Sequence, residues 1–212
     1  MIRLYGYWRS SAAYRVRIAL HLKQVTFETV DVNLVAGDQR GDAFRARNPQ
    51  GLVPALEVDE TVIGQSLAII DWLDATYPDP PLLPRDPLAR AQTLSRALVI
   101  AADIHPIDNL RVLKRLETQF GADQAAKDEW YRHWVTEGLS ALEAMAGADE
   151  NSGPFLGGAA PDLSDVLLVP QLYNARRLDV PLAAYPRLGM ADAAAQALPA
   201  FAAAHPDRTK PA

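Results

Sequence analysis

The chain opens with a short run, Ile2 to Tyr7, that reads as a strand. Trp8 and Arg9 make a tight corner, after which Ser10 or Ser11 can cap a helix through Ala12–Leu20. Serine suits that corner because its hydroxyl accepts from an unpaired first-turn amide. Thr26 to Asn33, with Phe27, Val30 and Val32, suits a second strand, parallel to the first because a helix joins the two. Gly37 to Asn48 is polar and reads as a loose helix. Pro54 then stands at a strand entrance, where its missing N–H does least harm. A proline after a turn is also a candidate cis bond. Asp59-Glu60 is a two-residue hairpin link without the usual glycine, and Thr61-Val62-Ile63 returns as a short strand. Gly64-Gln65-Ser66 turns into a helix, Leu67 to Tyr77, whose apolar positions Leu67, Ile70 and Leu73 keep helical spacing.

That order is a complete small α/β layer over residues 1–78. Pro78 to Pro87 holds five prolines in ten residues and cannot be helix interior. It places a linker at 79–87 and a second, all-α domain at 88–212. There, Leu88 to Phe120 is a long apolar series interrupted at Pro106, and Gln124 to Met145 is amphipathic. Gly153-Pro154 and Gly157-Gly158 bracket a loop. Asp162 with Asp165 has the spacing of a capping box built from acids, opening a helix from Val166 to Leu178. A last helix spans Leu188 to Ala197, and the polar tail from Pro206 is expected to fray.

Composition narrows the function. A chain of 212 residues with net charge -5 argues against a nucleic-acid binder. It has no cysteine, which excludes disulfides, Cys-based zinc sites and a protein thiol nucleophile. If thiol chemistry occurs, the thiol is brought in. No apolar run approaches the roughly 20 residues that span a bilayer. The Arg/Ser-rich start mimics a transit peptide, but it also makes a structural strand and helix start, so a cytoplasmic location is the default. One local asymmetry stands out. Arg3, Arg9, Arg15, Arg17 and Lys23 all precede the first acid, Glu28. A helix start attracts anions, so this zone reads as a receiver for a thiolate or carboxylate. From this stretch alone, a capped helix with solvated arginines is the simpler reading.

Longer motifs carry a resemblance. Ser10-Ser11-Ala12-Ala13-Tyr14-Arg15-Val16-Arg17-Ile18-Ala19-Leu20 resembles the signature Ser-Ser-Cys-x-Trp-Arg-Val-Arg-Ile-Ala-Leu of zeta-class glutathione transferases. Gln65-Ser66-Leu67-Ala68-Ile69-Ile70 resembles that class's glutathione motif. Asn48-Pro49, Val53-Pro54, Leu82-Leu83-Pro84, Asn109-Leu110, Val112-Leu113-Lys114, Val169-Pro170-Gln171 and Asn174-Ala175 extend the likeness over nearly the whole chain. Ala12 stands where the signature has cysteine.

The resemblance implies the glutathione transferase fold, a thioredoxin-like α/β domain followed by an all-α one, with glutathione as cofactor and a homodimer as working form. It implies a cis-trans isomerase turning maleylpyruvate into fumarylpyruvate, with maleylacetoacetate as the near alternative. A zeta transferase acting on small haloacids, or a non-catalytic glutathione- or partner-binding member, are the other readings, since fold alone does not fix activity. A C=C bond becomes free to rotate once a thiolate has added to it, so the site must make a thiolate and grip a small dicarboxylate. The family's chemistry is attributed to glutathione's own sulfur, so Ala12 does not remove it. Ser10 and Ser11 are the expected thiolate stabilisers. Val53 would pair its backbone with the cysteinyl part, and Gln65 and Ser66 would hold the γ-glutamyl carboxylate, with Gln50 nearby. Arg9 is the first candidate for a substrate carboxylate because a guanidinium fork matches carboxylate geometry. Arg176 and Arg111 are further substrate candidates, though Arg176 equally suits a helix dipole. Asp103, His105 and Asn109 are further cofactor candidates, His105 and Asn109 sharing a helix face by their spacing of four.

Overall fold

The computed structural model describes residues 1–147 and 153–211. The chain forms two compact units, Met1–Pro81 with Ala197–Ala212, and Leu82–Gln196. The division falls between Pro81 and Leu82, and the last segment, expected in the helical domain, belongs to the first unit.

In the first unit, β1 (Ile2–Gly6), α1 (Ser11–Leu22) and β2 (Glu28–Asp31) make a parallel crossover, with Leu4 opposite Thr29. A 3-10 turn at Asp38–Arg40 and a one-turn helix α2 (Asp42–Arg45) replace the loose helix. β3 (Ala55–Val58) and β4 (Thr61–Gly64) form the expected hairpin, with Asp59 taking the positive φ of 54° that a glycine normally supplies. The sheet order is β2-β1-β3-β4, with β3 antiparallel to both neighbours. Side chains alternate across it. Tyr5 and Ala55 join Val32 and Phe44 on one face. On the other face, Gly6 admits α1 so closely that a Cβ there would lie 3.2 Å from that of Ala13. α3 (Ser66–Thr76) buries Ile69, Ile70 and Leu73.

Two short helices, α10 (Pro199–Ala204) and α11 (Pro206–Thr209), close this unit, α10 packing on α1. The tail expected to fray is therefore ordered through Thr209. Phe201 and Pro206 are buried, and apolar burial of this kind outweighs the polarity of the residues around them.

The second unit is helical: α4 (Pro87–Leu98), α5 (His105–Ile107), α6 (Leu110–Phe120), α7 (Gln124–Gly147), α8 (Leu163–Arg177) and α9 (Pro186–Gln196). Asp86 caps α4, accepting from Leu88 and Ala89 N–H groups, with Pro87 in the first turn where it suits. The Asp162/Asp165 capping box forms at the start of α8. Asp165 also accepts from the N–H groups of Leu156 and Gly157, at 2.8 and 3.1 Å, so one buried carboxylate anchors both the helix and the loop before it.

The series Leu88–Phe120 breaks differently from expectation. α4 runs into a π-helical stretch, Val99–Ile104, and the helix ends at Ile107. Asn109 is extended, at φ -67° and ψ 147°, and starts α6 as its cap. His105 and Asn109 therefore do not share a helix face. The reason is local: with an Asn side chain available to cap, a new helix starts after only two intervening residues, Asp108 and Asn109. Among the described residues no helix is long and apolar enough to cross a membrane.

Candidate active site

The corner before α1 is built as its sequence suggests. Ser10 N–H donates to the Tyr7 carbonyl at 2.9 Å, closing the turn, and Ser10 Oγ accepts from Ala13 N–H at 3.3 Å. Ser10 is thus the N-cap, and Ser11 is the buried first residue of the helix. No acid sits in the first turn, so the positive helix end is not neutralised from within. Arg9 is half-buried, its guanidinium 5.5 Å from the Trp8 ring centroid, and no carboxylate among the described residues pairs with it.

The other four cations do not form a receiving zone. Arg3 pairs with Glu28 and Glu57, both at 2.9 Å. Lys23 is buried against Asp74 and the Pro80 carbonyl. Arg15 and Arg17 are buried on α1, Arg15 Nη1 donating to Ser66 Oγ at 3.4 Å and Arg17 bonding the Trp8 and Ala204 carbonyls. Spacing along the chain showed where these charges lie, not whether folding would bury them, and of the five Arg9 is the one neither fully buried nor paired with an acid among the described residues.

The second half of the site lies around α3. The Val53-Pro54 bond is cis, as the sequence suggested. Asn48 braces the preceding loop, its Nδ2 donating to the Leu52 carbonyl at 2.8 Å and its Oδ1 accepting from Gln50 N–H. Val53 precedes the ladder, which begins at Ala55, and its side chain packs on the Tyr5–Phe44 cluster. Gln65 adopts φ 68° and ψ 120°, a region that side chains other than glycine's rarely enter. From there its Nε2 donates to Gln50 Oε1 at 2.9 Å. Ser66 is the buried first residue of α3, and that helix also has no acid in its first turn. Two carboxamides, a hydroxyl and an open helix N-terminus form a donor set for a carboxylate, which fits the γ-glutamyl end of glutathione.

The remaining candidates belong to the second unit. Asp103 is exposed in the π-helical stretch, and His105 is half-buried at the start of α5. Asn109 spends its side-chain oxygen on Arg111 N–H at 3.2 Å, while the Arg111 side chain is exposed. Arg176 donates to the buried carboxylate of Asp192, which also accepts from Gln196 Nε2 at 2.7 Å. Arg176 is thus an anchor between α8 and α9, and the helix-dipole reading is joined by an ion pair that spacing did not reveal. Sequence reasoning also passed over Asp108. It is buried, neither of its carboxylate oxygens has a hydrogen-bond partner among the described residues, and burial pushes its pKa up to about 8. Its one visible signal was an acid directly before a helix-capping asparagine.

Residues 4–81 match the family model for the glutathione S-transferase N-terminal domain. A Vibrio cholerae protein named "Probable maleylacetoacetate isomerase" is 48% identical over 206 residues, covering 96% of this chain and 95% of its own. Among solved structures, one described as the holo form of maleyl pyruvate isomerase, a bacterial glutathione S-transferase in the zeta class, superposes with a TM-score of 0.96. It is 44% identical and covers 98% of both chains. A maleylacetoacetate isomerase from Methylobacterium extorquens AM1, with malonate and glutathione bound, superposes with a TM-score of 0.95 at 40% identity, over 99% of this chain and 100% of its own. With motifs, fold and full-length identity in agreement, this chain belongs to the zeta class of the glutathione transferase family.

Proposed function

We propose that the protein is a glutathione-dependent cis-trans isomerase converting maleylpyruvate to fumarylpyruvate. The observation that carries the site assignment is the α1 entrance: a helix N-terminus capped by Ser10, free of acids, beside an arginine with no carboxylate partner among the described residues. Bound glutathione supplies the thiolate that adds to the conjugated double bond and leaves after rotation.

The chain's own residues do the rest. Ser10 accepts from Ala13 N–H through a lone pair, so its hydroxyl hydrogen remains available to donate to a sulfur. That bond and the helix end both favour a thiolate over a thiol. Gln65, Ser66 and Gln50 orient the γ-glutamyl end, and Val53 offers backbone to the cysteinyl part as a strand edge pairs with a peptide. Arg9 grips a substrate carboxylate. Asp103, His105, Asn109, Arg111 and Arg176 enter this reading through the resemblance alone, as does a homodimeric working form. Maleylacetoacetate is the second reading, favoured by the name of the Vibrio cholerae relative.

The test is an isomerase assay on both substrates with and without glutathione. Turnover that requires glutathione is expected, and turnover without it would sink the addition route.

A further inference from the structure

Trp8 holds two cations. The Arg9 guanidinium lies 5.5 Å from its ring centroid and the Lys210 ammonium 5.4 Å. An indole face attracts each of them. Among the described residues, neither has a carboxylate partner, and Lys210 is exposed. Two cations gathered at one ring, neither neutralised by a carboxylate among the described residues, are chemistry for a dianion.

Lys210 reaches this place because the segment before it is pinned. Buried Arg17 spans two carbonyls, Nη2 donating to Trp8 at 2.9 Å and Nε to Ala204 at 3.0 Å. The Tyr14 ring lies 5.3 Å from it. A buried guanidinium with no carboxylate partner among the described residues is costly, and burial lowers the pKa of Arg17 to about 10. What that cost secures is a fixed distance between the Trp8–Arg9 corner and the end of α10. His205 continues the path. Its ring packs edge-on against Tyr14, and its Nδ1 accepts from Asp207 N–H at 3.3 Å to start α11. Lys210 follows one residue after that helix ends.

We propose that Lys210 completes the carboxylate grip begun by Arg9, with Arg17 as the positioning residue that sets both cations at Trp8. The proposal deepens the isomerase reading and rests on it for the identity of the dianion, a diacid with one carboxylate for each cation. Its rival is a docking contact in which Lys210 only tethers the chain end.

The test titrates maleate, a cis-dicarboxylate, into full-length protein loaded with glutathione. It compares wild type with Lys210→Ala, Lys210→Arg, Lys210→Glu and Arg17→Lys. Loss of one charge-assisted contact is expected to weaken maleate about tenfold in Lys210→Ala. Lys210→Arg should retain most of the affinity and Lys210→Glu should be weakest. Glutathione affinity should stay within about twofold throughout, since its donors lie around α3. Arg17→Lys keeps the charge but cannot span two carbonyls, and should weaken maleate with little change for glutathione. Unchanged maleate affinity in Lys210→Ala, no maleate binding to wild type, or parallel loss of glutathione would overturn the proposal. Turnover of maleylpyruvate is measured beside the titration. If wild type binds maleate through Lys210 but turns nothing over, the isomerase reading falls and the dianion site stands. If turnover is normal and Lys210→Ala binds maleate as wild type does, the reverse holds.

Discussion

Gln65 Nε2 donates to Gln50 Oε1 at 2.9 Å, and it does so from a backbone held at φ 68° and ψ 120°. A non-glycine residue there carries strain on the order of 1–3 kcal/mol, and strain of this kind gathers where a ligand must be met. Gln65→Gly should relieve it, raising the thermal midpoint of the free protein or leaving it unchanged, while glutathione affinity falls. Gln65→Ala loses the carboxamide and keeps the strain, so it should be the less stable of the two. Thermal melts and glutathione calorimetry on both variants check this, and a glycine variant less stable than the alanine variant would count against strain at this site.

Ser10 has two duties that substitution can separate. Ser10→Ala removes the cap of α1 and should cost about 1 kcal/mol, whereas Ser10→Gly should cost only a few tenths. Both lose the hydroxyl, so both should raise the pKa of the bound thiol. A thiolate absorbance titration unchanged in both variants would remove Ser10 from the chemistry.

Asp108 makes stability depend on pH. Its carboxyl is raised by burial to about 8 in the folded protein, from an unfolded value near 3.8, so the fold binds the extra proton between those values. Stability from this group is full below the lower pKa and is lost as pH rises through the upper one. Its surroundings reinforce this: Tyr131, itself pushed up to about 12 by burial and by Asp108, offers it no compensating charge. Asp108→Asn should therefore flatten the fall in melting temperature between about pH 4 and pH 8, the interval between the unfolded and folded values of this group. It should also melt higher than wild type at the alkaline end. Parallel curves for the two proteins would show that Asp108 does not titrate in this range.

Gly138 sits inside α7, where alanine would normally be worth about 1 kcal/mol more. Here a Cβ would lie 2.4 Å from Ile104 Cδ1, in the π-helical stretch between α4 and α5. Gly138→Ala should destabilise by about 1–3 kcal/mol, the scale of core overpacking. Gly138→Ala combined with Ile104→Ala should recover part of that loss. Urea denaturation of the single and double variants measures the coupling.

Much of the molecule could be read before its structure was known, and the readable parts share a feature. The Ser10 cap, the Asp162/Asp165 box, the Asp59-Glu60 hairpin and the cis bond at Pro54 each depend on residues within a few positions of one another. Backbone geometry is set by such neighbours, so order and type of element follow from local pattern. The break at Asn109 was misjudged for a related reason. Spacing of four implies a shared face only if the helix continues, and an asparagine that caps ends that assumption.

Contacts over long separations were decided by packing alone. Five cations before Glu28 looked like one basic zone, yet folding buried three of them, paired Arg3 with acids and left Arg9 beside Trp8. The approach of Lys210 to that same ring, the pinning of Ala204 by Arg17 and the space Gly138 leaves for Ile104 likewise have no signature in linear order. Charge and size are properties of a residue, but desolvation and fit are properties of its surroundings, and those exist only once the chain has folded.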